Sequence, residues 1–213
     1  MLPLMGSGKA YATEVGEVMR VPLAHGSSLT LNTDSRVRVT GRDDKQVVRV
    51  ERGEVFFSIT PTASARTEIH VGDTVLKPSV ATFAVRRFDR QQAEIIVQKG
   101  QVNVGKDVGL ASNAKARVSG GVSKIQNLGS GEVDRSLMWL QGKLVFEGQS
   151  LAEAAQDFAR YGAPRIEVLD PVLAKEPVVG LFASNDPQGF AEAVAVSLGA
   201  RVEARGGRLI IVR

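Results

Sequence analysis

Trp139–Gly162 reads W-L-Q-G-K-L-V-F-E-G-Q-S-L-A-E-A-A-Q-D-F-A-R-Y-G, and this stretch decides how the chain is organised. Before it, almost every apolar residue follows a two-residue alternation interrupted by glycine, which is typical of short β-strands. The stretch itself contains the first amphipathic helix, and strands and helices alternate after it. We therefore predict a domain boundary just before Trp139.

A helix is predicted inside this stretch by its caps and by its apolar spacing. Ser150 followed by Glu153 is a capping box, in which each side chain satisfies a backbone N–H at the helix start. Gly162 can supply a left-handed cap, and Pro164 prevents the helix from continuing. The apolar residues recur at helical spacing and form one face, which consists of Leu151, Ala154, Ala155, Phe158 and Ala159.

The same arrangement recurs 36 residues later, which is the separation of Phe146 and Phe182. Glu147-Gly148 is a predicted turn before the first helix, and Asp186 is the predicted cap of the second. The strands expected in this half are Leu144–Phe146, Ile166–Val168, Val178–Phe182, Arg201–Ala204 and Leu209–Val212. The repeat therefore predicts two strand–helix–strand units in tandem, followed by a final strand.

The earlier half is predicted to consist of strands from Tyr11 to about Leu128. The expected turns, corners and hairpins are His25-Gly26, Asn32–Ser35, Arg52-Gly53 and Lys99-Gly100. The pattern indicates either an antiparallel β-sandwich or an irregular β-solenoid. Residues 112–136 show a weaker pattern, and the end of this segment is interpreted as a linker.

A short signature recurs in this half: Gly16-Glu17-Val18, Gly53-Glu54-Val55 and Gly131-Glu132-Val133. Its physical interpretation is a glycine at positive φ, followed by a strand that begins with a polar residue and then buries valine. The spacing is uneven, so the signature is not a strict repeat.

These patterns predict a mainly β fold with a C-terminal α+β domain. Residues 10–136 form the expected all-β domain, and residues 137–213 form the expected tandem βαβ domain. Residues 1–9 contain a second methionine and a Gly/Ser linker, and they resemble a vector-derived leader. The chain is therefore expected to be one part of a longer protein.

Composition narrows the class of function. The 213 residues include no cysteine, which excludes disulfides and thiolate zinc sites. The net charge is +4, but basic residues are interleaved with acids, as in Arg42-Asp43-Asp44-Lys45, and no basic helix or aromatic platform suggests nucleic acid. No apolar run reaches the roughly 18 residues that a membrane helix needs.

No catalytic or cofactor site is predicted. The nucleotide-binding glycine motifs and the G-x-S-x-G hydrolase motif are absent from the sequence. The two histidines, His25 and His70, lie in different strand–turn units and are interpreted as ordinary surface or edge residues. Paired acids such as Asp43-Asp44 flank turns, where carboxylates are commonly solvated. We therefore expect no enzyme activity, no cofactor and no bound metal.

The β half resembles the FecR family of sigma-factor regulators. The family has an L-A-D-G-S-x-x-x-L-N-x-x-S block, an R-G-E-x-x-F block, a G-T-x-F-x-V block and a closing G-x-V strand. The matching segments occur in that order, and they are Val21–Val37, Arg49–Ile59, Ala81–Arg86 and Ile96–Val104. His25 replaces the usual aspartate and Ala81 the usual glycine, and both lie at turns or strand entries.

The second half resembles the short N-terminal domain of secretins and TonB-dependent receptors. That domain commonly begins W-x-x-G-x-L-x-F, as at Trp139–Phe146, and continues L-x-E-A-A-x-x-F-x-R-Y, as at Leu151–Tyr161. Together the two resemblances imply the periplasmic portion of a single-pass inner-membrane anti-sigma factor. Its membrane helix and its cytoplasmic segment would lie outside this chain.

The resemblance also implies partners. An outer-membrane TonB-dependent transducer would present its signalling domain to this chain, and siderophore or iron status would pass to an extracytoplasmic-function sigma factor. The partner is expected to dock on strand edges and on the helix of the second half. The candidate contact residues are Leu144, Val145, Phe146, Leu151, Phe158, Tyr161, Val179, Leu181, Phe182, Leu209 and Ile211.

Alternatives remain open at this point. Leu151 and Phe158 fit an ordinary core role better than an interface, whereas Tyr161 and Phe182 fit either role. A cell-envelope polysaccharide- or peptidoglycan-binding β module is the alternative function, although Trp139 is the only tryptophan available for stacking. A hydrolase or isomerase would need a cluster of titratable groups that the sequence does not bring together.

Overall fold

The computed structural model describes residues 8–42, 45–61, 66–87, 92–105 and 108–213. Its contacts divide the chain into two units, Met1–Asp134 and Arg135–Arg213. The first seven residues of the expected leader and the pair Asp43-Asp44 lie outside the described residues. Lys9, which we expected to belong to the leader, is the first residue of a strand.

The first unit is an 11-stranded β-sheet. Its strands are β1 (Lys9–Ala12), β2 (Met19–Pro22), β3 (Ser28–Leu31), β4 (Arg36–Arg42), β5 (Lys45–Ile59), β6 (Arg66–Val71), β7 (Thr74–Arg87), β8 (Gln92–Val104), β9 (Val108–Ala111), β10 (Ala114–Ser119) and β11 (Val122–Asn127). A 3-10 turn covers Ala24–Gly26, and helix α1 covers Ser130–Ser136. The fold of this unit is mainly β, as predicted.

β5 is the strand on which the first unit is built. Its first half lies between β4 and the parallel strand β6, and its second half lies between β3 and β7. The strand changes neighbours at Gly53, where φ is 84°. The buried side chains of β5 belong to the hydrophobic core of this unit. Most of that core is aliphatic, but it also contains the rings of Phe57 and Phe83, which stack with centroids 5.1 Å apart.

A buried polar corner lies beside this change of neighbours. Asn32 Nδ2 donates to Glu54 Oε2 at 3.0 Å, and Glu54 N–H donates to Ser35 Oγ at 2.9 Å. Thr13 Oγ1 donates to Asn32 O at 2.6 Å and accepts from Ser35 N–H at 2.9 Å. All four residues are buried. Because buried polar groups are costly unless they are bonded, this network fixes the predicted corner between β3 and β4.

Two predicted reversals in the first unit are wrong, because strands continue through them. The expected turn at Arg52-Gly53 lies inside β5, and the expected hairpin at Lys99-Gly100 lies inside β8. Gly100 has φ of 84° and pairs with Ala81 at a register shift, so it is a bulge rather than a turn.

The recurring glycine signature is also partly wrong. Gly16 and Gly53 have positive φ as predicted, but Gly131 lies in α1. Val55 is fully buried, whereas Val18 is 44% exposed. The segment interpreted as a linker is thus helical over part of its length.

The second unit alternates strands and helices. Its elements are β12 (Lys143–Ser150), α2 (Leu151–Ala159), β13 (Arg165–Val168), β14 (Pro177–Ala183), α3 (Pro187–Ser197), β15 (Arg201–Arg205) and β16 (Arg208–Val212), with 3-10 turns at Met138–Gln141 and Leu173–Lys175. β12 and β14 form an antiparallel two-stranded ribbon. β16 lies between β13, which is parallel to it, and β15, which is antiparallel.

The N-terminal caps of both helices form as predicted, but the left-handed C-cap predicted at Gly162 is wrong, because α2 ends at Ala159 with Arg160 as its C-cap and Gly162 has φ of 129°. Ser150 and Glu153 make the capping box of α2, and Asp186 Oδ1 accepts from Gly189 N–H at 2.8 Å at the start of α3. The turn predicted at Glu147-Gly148 is wrong, because β12 continues through a bulge there to Ser150.

Four phenylalanines dominate the core of the second unit. Phe146 comes from β12, Phe158 from α2, Phe182 from β14 and Phe190 from α3. The closest pair of rings, Phe158 and Phe190, has centroids 4.4 Å apart. The two helices and both sheets therefore share one core.

The 36-residue offset has a geometric counterpart in strand pairing. Val145 lies directly opposite Leu181, which is its equivalent in the second half of the repeat. In the other sheet, Ile166 lies opposite Leu209, and its equivalent Val202 lies opposite Ile211. Residues at equivalent positions of the repeat therefore meet at the centre of the ribbon.

The capping box predicts a pH-dependent contribution to stability. Glu153 Oε2 accepts from Ser150 N–H at 2.9 Å, and this bond, together with the one from the Ser150 hydroxyl, lowers the pKa of Glu153 from its ordinary value of 4.5. Because the folded pKa is the lower one, the stabilisation is present above pH 4.5 and is lost as pH falls through the folded pKa.

We expect Glu153→Ala to lower the free energy of unfolding at pH 7 and to have a smaller effect at pH 3. Denaturant unfolding of both proteins at the two pH values, followed by Trp139 fluorescence, measures the difference. Gln156→Ala, an exposed change on the same helix, is the control, and its effect should not depend on pH. An equal loss from Glu153→Ala at both pH values would contradict the prediction.

Candidate partner-binding surface

Five of the eleven predicted contact residues lie in the core of the second unit. Their exposed fractions are 2% for Phe146, 0% for Leu151, 2% for Phe158, 6% for Leu209 and 0% for Ile211. A partner cannot reach these side chains while the unit is folded, so the structure contradicts an interface role for them. Their apolar spacing reflects the core, which is the role already favoured for Leu151 and Phe158.

Leu144, Phe182 and Tyr161 are half-buried, as is Val145, which lies on the other side of the ribbon. Leu144 and Phe182 pack against the edge of the core, and the Phe182 ring lies 4.9 Å from that of Phe190. Tyr161 follows α2, and its ring lies 5.9 Å from the Arg160 guanidinium. These residues can contribute at most part of their surface to a partner.

The remaining candidates, Val145, Val179 and Leu181, lie together on the side of the ribbon that points away from the core. We call this side the outer face, and it consists of Lys143, Val145, Glu147, Val179, Leu181 and Ala183. Val179 is 76% exposed and Leu181 is 52% exposed. Because Val145 pairs with Leu181 and Glu147 with Val179, the apolar side chains are adjacent across the two strands.

The polar residues of the outer face differ in their bonding. Glu147 Oε2 lies 2.7 Å from Arg135 Nε, and half of its side chain stays exposed. Lys143 makes no ion pair within the described part of the chain. The outer face therefore presents an apolar centre between one free cation and one partly satisfied carboxylate.

The second sheet presents a different surface. On its side away from the core, Glu167 pairs with Arg208 at 2.6 Å, and Glu203 pairs with Arg201 and Arg205. This side is covered by ion pairs and is typical of a solvated sheet. The exposed apolar residues therefore distinguish the ribbon from the other sheet of the same unit.

The ribbon also offers unpaired strand edges. Among the described residues, β12 pairs only with β14, so each strand has one edge with free backbone groups. Such edges can accept an additional strand from a partner. β11 in the first unit has a similar free edge, since it pairs only with β10 in the described part.

Two surface grooves lie among the described residues of the first unit. One has a volume of about 540 Å³ and the other about 490 Å³, and both are lined by Glu68 and Lys77. The described residues that line them are aliphatic, small or polar, and none is aromatic. The grooves therefore lack the stacking surface that commonly holds sugar rings.

The described residues show little that could support catalysis. No group of three or more histidines and acids among them could hold a metal ion. His25 lies in a 3-10 turn, and His70 Nε2 lies 3.7 Å from Glu68 Oε2 on β6. Within the described part of the chain, no helix combines the length and the apolarity needed to cross a membrane.

The predicted contact residues of β12 and β14 fall on both sides of the ribbon, because the sequence does not distinguish its inner side from its outer face. In V-V-G-L-F (Val178–Phe182) every residue except glycine is apolar, so alternation cannot assign the buried side. The structure buries Val178 and exposes Val179 and Leu181. The signal that could have helped is Gly180, where an added Cβ would lie 2.7 Å from the Phe182 ring on the inner side.

Comparisons with known proteins identify the first unit. The family model described as "FecR protein" matches residues 9–103. No curated protein sequence matches the chain. Two crystal structures of a "putative anti-sigma factor" from Parabacteroides distasonis have TM-scores of 0.73 and 21% identity; they cover 97% and 96% of this chain and 99% of their own.

The two kinds of comparison support different statements. At 21% identity, the structural likeness establishes a shared fold over nearly the whole chain. The family match covers β1 to the end of β8, and it includes both the polar corner and the change of neighbours at Gly53. Residues 9–103 of the first unit therefore form a FecR-type domain.

Proposed function

We propose that this chain is the periplasmic portion of an inner-membrane anti-sigma factor. The observation that carries the proposal is the FecR match over residues 9–103. It is supported by a fold shared, over nearly the whole chain, with a protein described as a putative anti-sigma factor. The membrane helix and the cytoplasmic segment that holds the sigma factor would belong to a longer protein.

The second unit is the proposed receiver of the signal. We propose that it is a short N-terminal domain like those of secretins and TonB-dependent receptors, and that it binds the signalling domain of an outer-membrane TonB-dependent transducer. The free edges of β12 and β14 favour docking by strand addition, in which the partner extends the ribbon through backbone hydrogen bonds. Val179 and Leu181, with the half-buried Val145 beside them, are the apolar residues of the outer face that lie near those edges.

The proposed output is regulation rather than catalysis. Siderophore or iron status, sensed by the transducer, would be relayed through this chain to an extracytoplasmic-function sigma factor. The FecR family consists of regulators. The candidate contact surface of this chain is formed mainly by apolar side chains, which suit binding to another protein rather than proton transfer.

Binding to the signalling domain of a transducer from the native locus tests the proposal. We expect a complex in which the backbone amides of β12 or β14 become protected from hydrogen exchange, because strand addition bonds edge N–H groups that water previously satisfied. Val179→Lys should weaken the complex about tenfold, since a lysine on an edge strand opposes pairing. Val196→Lys, an equally exposed change on α3, is the control.

The outcomes separate the parts of the proposal. A complex without protection of either ribbon strand would contradict docking at the ribbon while leaving the anti-sigma role in place. No binding to any transducer domain of the locus would contradict the function itself.

A second candidate function is binding of cell-envelope polysaccharide or peptidoglycan. The observation that favours it is the pair of grooves that meet at Glu68 and Lys77. It ranks second because no described residue lining them is aromatic. Binding to envelope glycans on an array, abolished by Lys77→Glu, would support it over the first proposal.

A further inference from the structure

We propose that the outer face of the ribbon binds the outer face of a second copy of this chain. The proposed transducer docking uses the edges of the ribbon, whereas this contact uses its flat side. The inference therefore concerns a different contact, made by outer-face side chains rather than by edge backbone groups, and a different occupant. It can be tested on the chain alone, without any partner.

The centre of the outer face is apolar and open. Val179 and Leu181 are 76% and 52% exposed, although each lies on a regular strand whose opposite side is packed into the core. Burying such residues against a second apolar surface is favourable. The Val145–Leu181 pair lies at the middle of the face, between the Lys143–Ala183 and Glu147–Val179 pairs.

The charges on the face favour a second copy as the occupant, since Glu147 keeps half of its side chain exposed beside its ion pair with Arg135. Lys143, Val145 and Glu147 point the same way from β12, with the lysine and the glutamate at equal distances from the valine. Consider a two-fold axis that crosses the strands above Val145. It brings two β12 strands together in opposite directions, so that Lys143 of each copy meets Glu147 of the other.

The same arrangement matches the apolar residues. Leu181 meets Leu181 of the second copy on the axis, and Val179 meets Ala183. An axis parallel to the strands would instead place Glu147 over Val179 and Lys143 over Ala183, because these residues are paired across the ribbon. Charged groups would then lose water against apolar groups without gaining a counter-charge, which is unfavourable. The charge pattern therefore selects the axis that crosses the strands.

The size of the face limits the strength of the contact. Seven residues of β14 extend about 23 Å, and two strands are about 10 Å wide. The area is a few hundred Å² per copy, well below the roughly 800 Å² per partner of a stable complex. The association should therefore be weak.

Sedimentation equilibrium over a concentration series tests the proposal. The apparent mass should rise with concentration from 22.7 kDa toward twice that value. Lys143→Glu gives a face with two acids, and Glu147→Lys gives a face with two bases. Each variant alone should dimerise at least tenfold more weakly, because both contacts between position 143 of one copy and position 147 of the other become contacts between like charges. An equimolar mixture of the two should regain association, because every contact is again between opposite charges.

Two further variants control for location. Leu181→Lys should abolish association, because it places like charges on the axis, whereas Val196→Lys on α3 should leave it unchanged. Trp139 fluorescence and far-UV circular dichroism establish that each variant is folded. A chain that is monomeric at every concentration, or a mixture that does not regain association, would overturn the proposal. Neither result would bear on transducer binding at the edges.

Discussion

Replacing Gly53 by alanine is expected to lower the free energy of unfolding of the first unit by at least about 3 kcal/mol. Gly53 has φ of 84°, a conformation that costs other residues about 1–2 kcal/mol. An added Cβ would also lie 2.6 Å from Ser35 Cα and 2.7 Å from Asp34 O. These are backbone atoms, so they can move only if the corner between β3 and β4 opens.

We expect Gly53→Ala to open the corner between β3 and β4 at denaturant concentrations too low to unfold the whole unit. Opening this corner breaks the two bonds between Ser35 and Glu54, so the buried N–H of Glu54 loses the Ser35 hydroxyl as its acceptor. Hydrogen exchange of peptides that contain β3 and β5 should therefore rise in Gly53→Ala at denaturant concentrations where the wild-type chain is still protected.

Gly120→Ala is the matched control for this prediction. Gly120 also has positive φ, at 67°, but an added Cβ there meets no atom within 4 Å. The control should cost only about 1–2 kcal/mol, which is the conformational part alone. Equal losses from the two substitutions would show that the close approach to Ser35 contributes nothing.

The polar corner gives a structural reason why the L-N-T-D-S and R-G-E blocks are both present in the sequence, although they are distant from each other along the chain. L-N-T-D-S (Leu31–Ser35) supplies Asn32 and Ser35, and R-G-E (Arg52–Glu54) supplies the glycine and the glutamate that they contact. The serine bonds the backbone of Glu54, and the asparagine bonds its carboxylate. The resemblance noticed in the sequence is thus a set of residues that fold one corner, and it says nothing by itself about a binding site.

Local signals were sufficient to predict the helices of the second unit. A capping box, an N-cap followed by proline and an apolar stripe each act within a few residues, so the starts of α2 and α3 could be predicted from the sequence. The 36-residue offset likewise required only two similar segments, and the pairing of Val145 with Leu181 gives it a geometric meaning.

Glycines in strands could not be interpreted locally. Gly53, Gly100 and Gly148 all have positive φ, and that conformation suits a turn as well as a bulge. The neighbouring strands decide between the two. β5 and β8 each pair on both sides of their glycine, so the chain continues forward where the sequence suggested a reversal.

The candidate partner-binding surface also depends on neighbouring strands and could not be predicted from local sequence. The apolar residues of β12 and β14 were identified, but their division between core and outer face depends on the sheet that they form. Phe146 and Val179 lie on neighbouring strands of one ribbon, yet Phe146 is 2% exposed and Val179 is 76% exposed. The proposals on transducer binding and on self-association therefore both depend on exposed residues that the sequence alone does not distinguish from core residues.

Replacing Phe190 by alanine is expected to lower the free energy of unfolding of the second unit by about 3–5 kcal/mol. Phe190 is 1% exposed, and its ring centroid lies 4.4 Å from that of Phe158, 4.9 Å from Phe182 and 5.7 Å from Phe146. Removing it leaves a cavity where α3, α2 and both strands of the ribbon meet, and these elements cannot all close the gap.

Phe190→Leu keeps the prediction measurable if the alanine variant does not fold. Leucine retains most of the buried apolar area but loses the ring contacts, which contribute about 0.5–1.5 kcal/mol per pair, so an intermediate loss is expected. Val196→Ala, on the exposed side of the same helix, should change stability by less than about 0.5 kcal/mol. Denaturant titration followed by Trp139 fluorescence orders the three variants. A leucine variant as stable as the wild-type chain would contradict the importance of the aromatic cluster, and the ribbon that presents the outer face would then have to be held by other contacts.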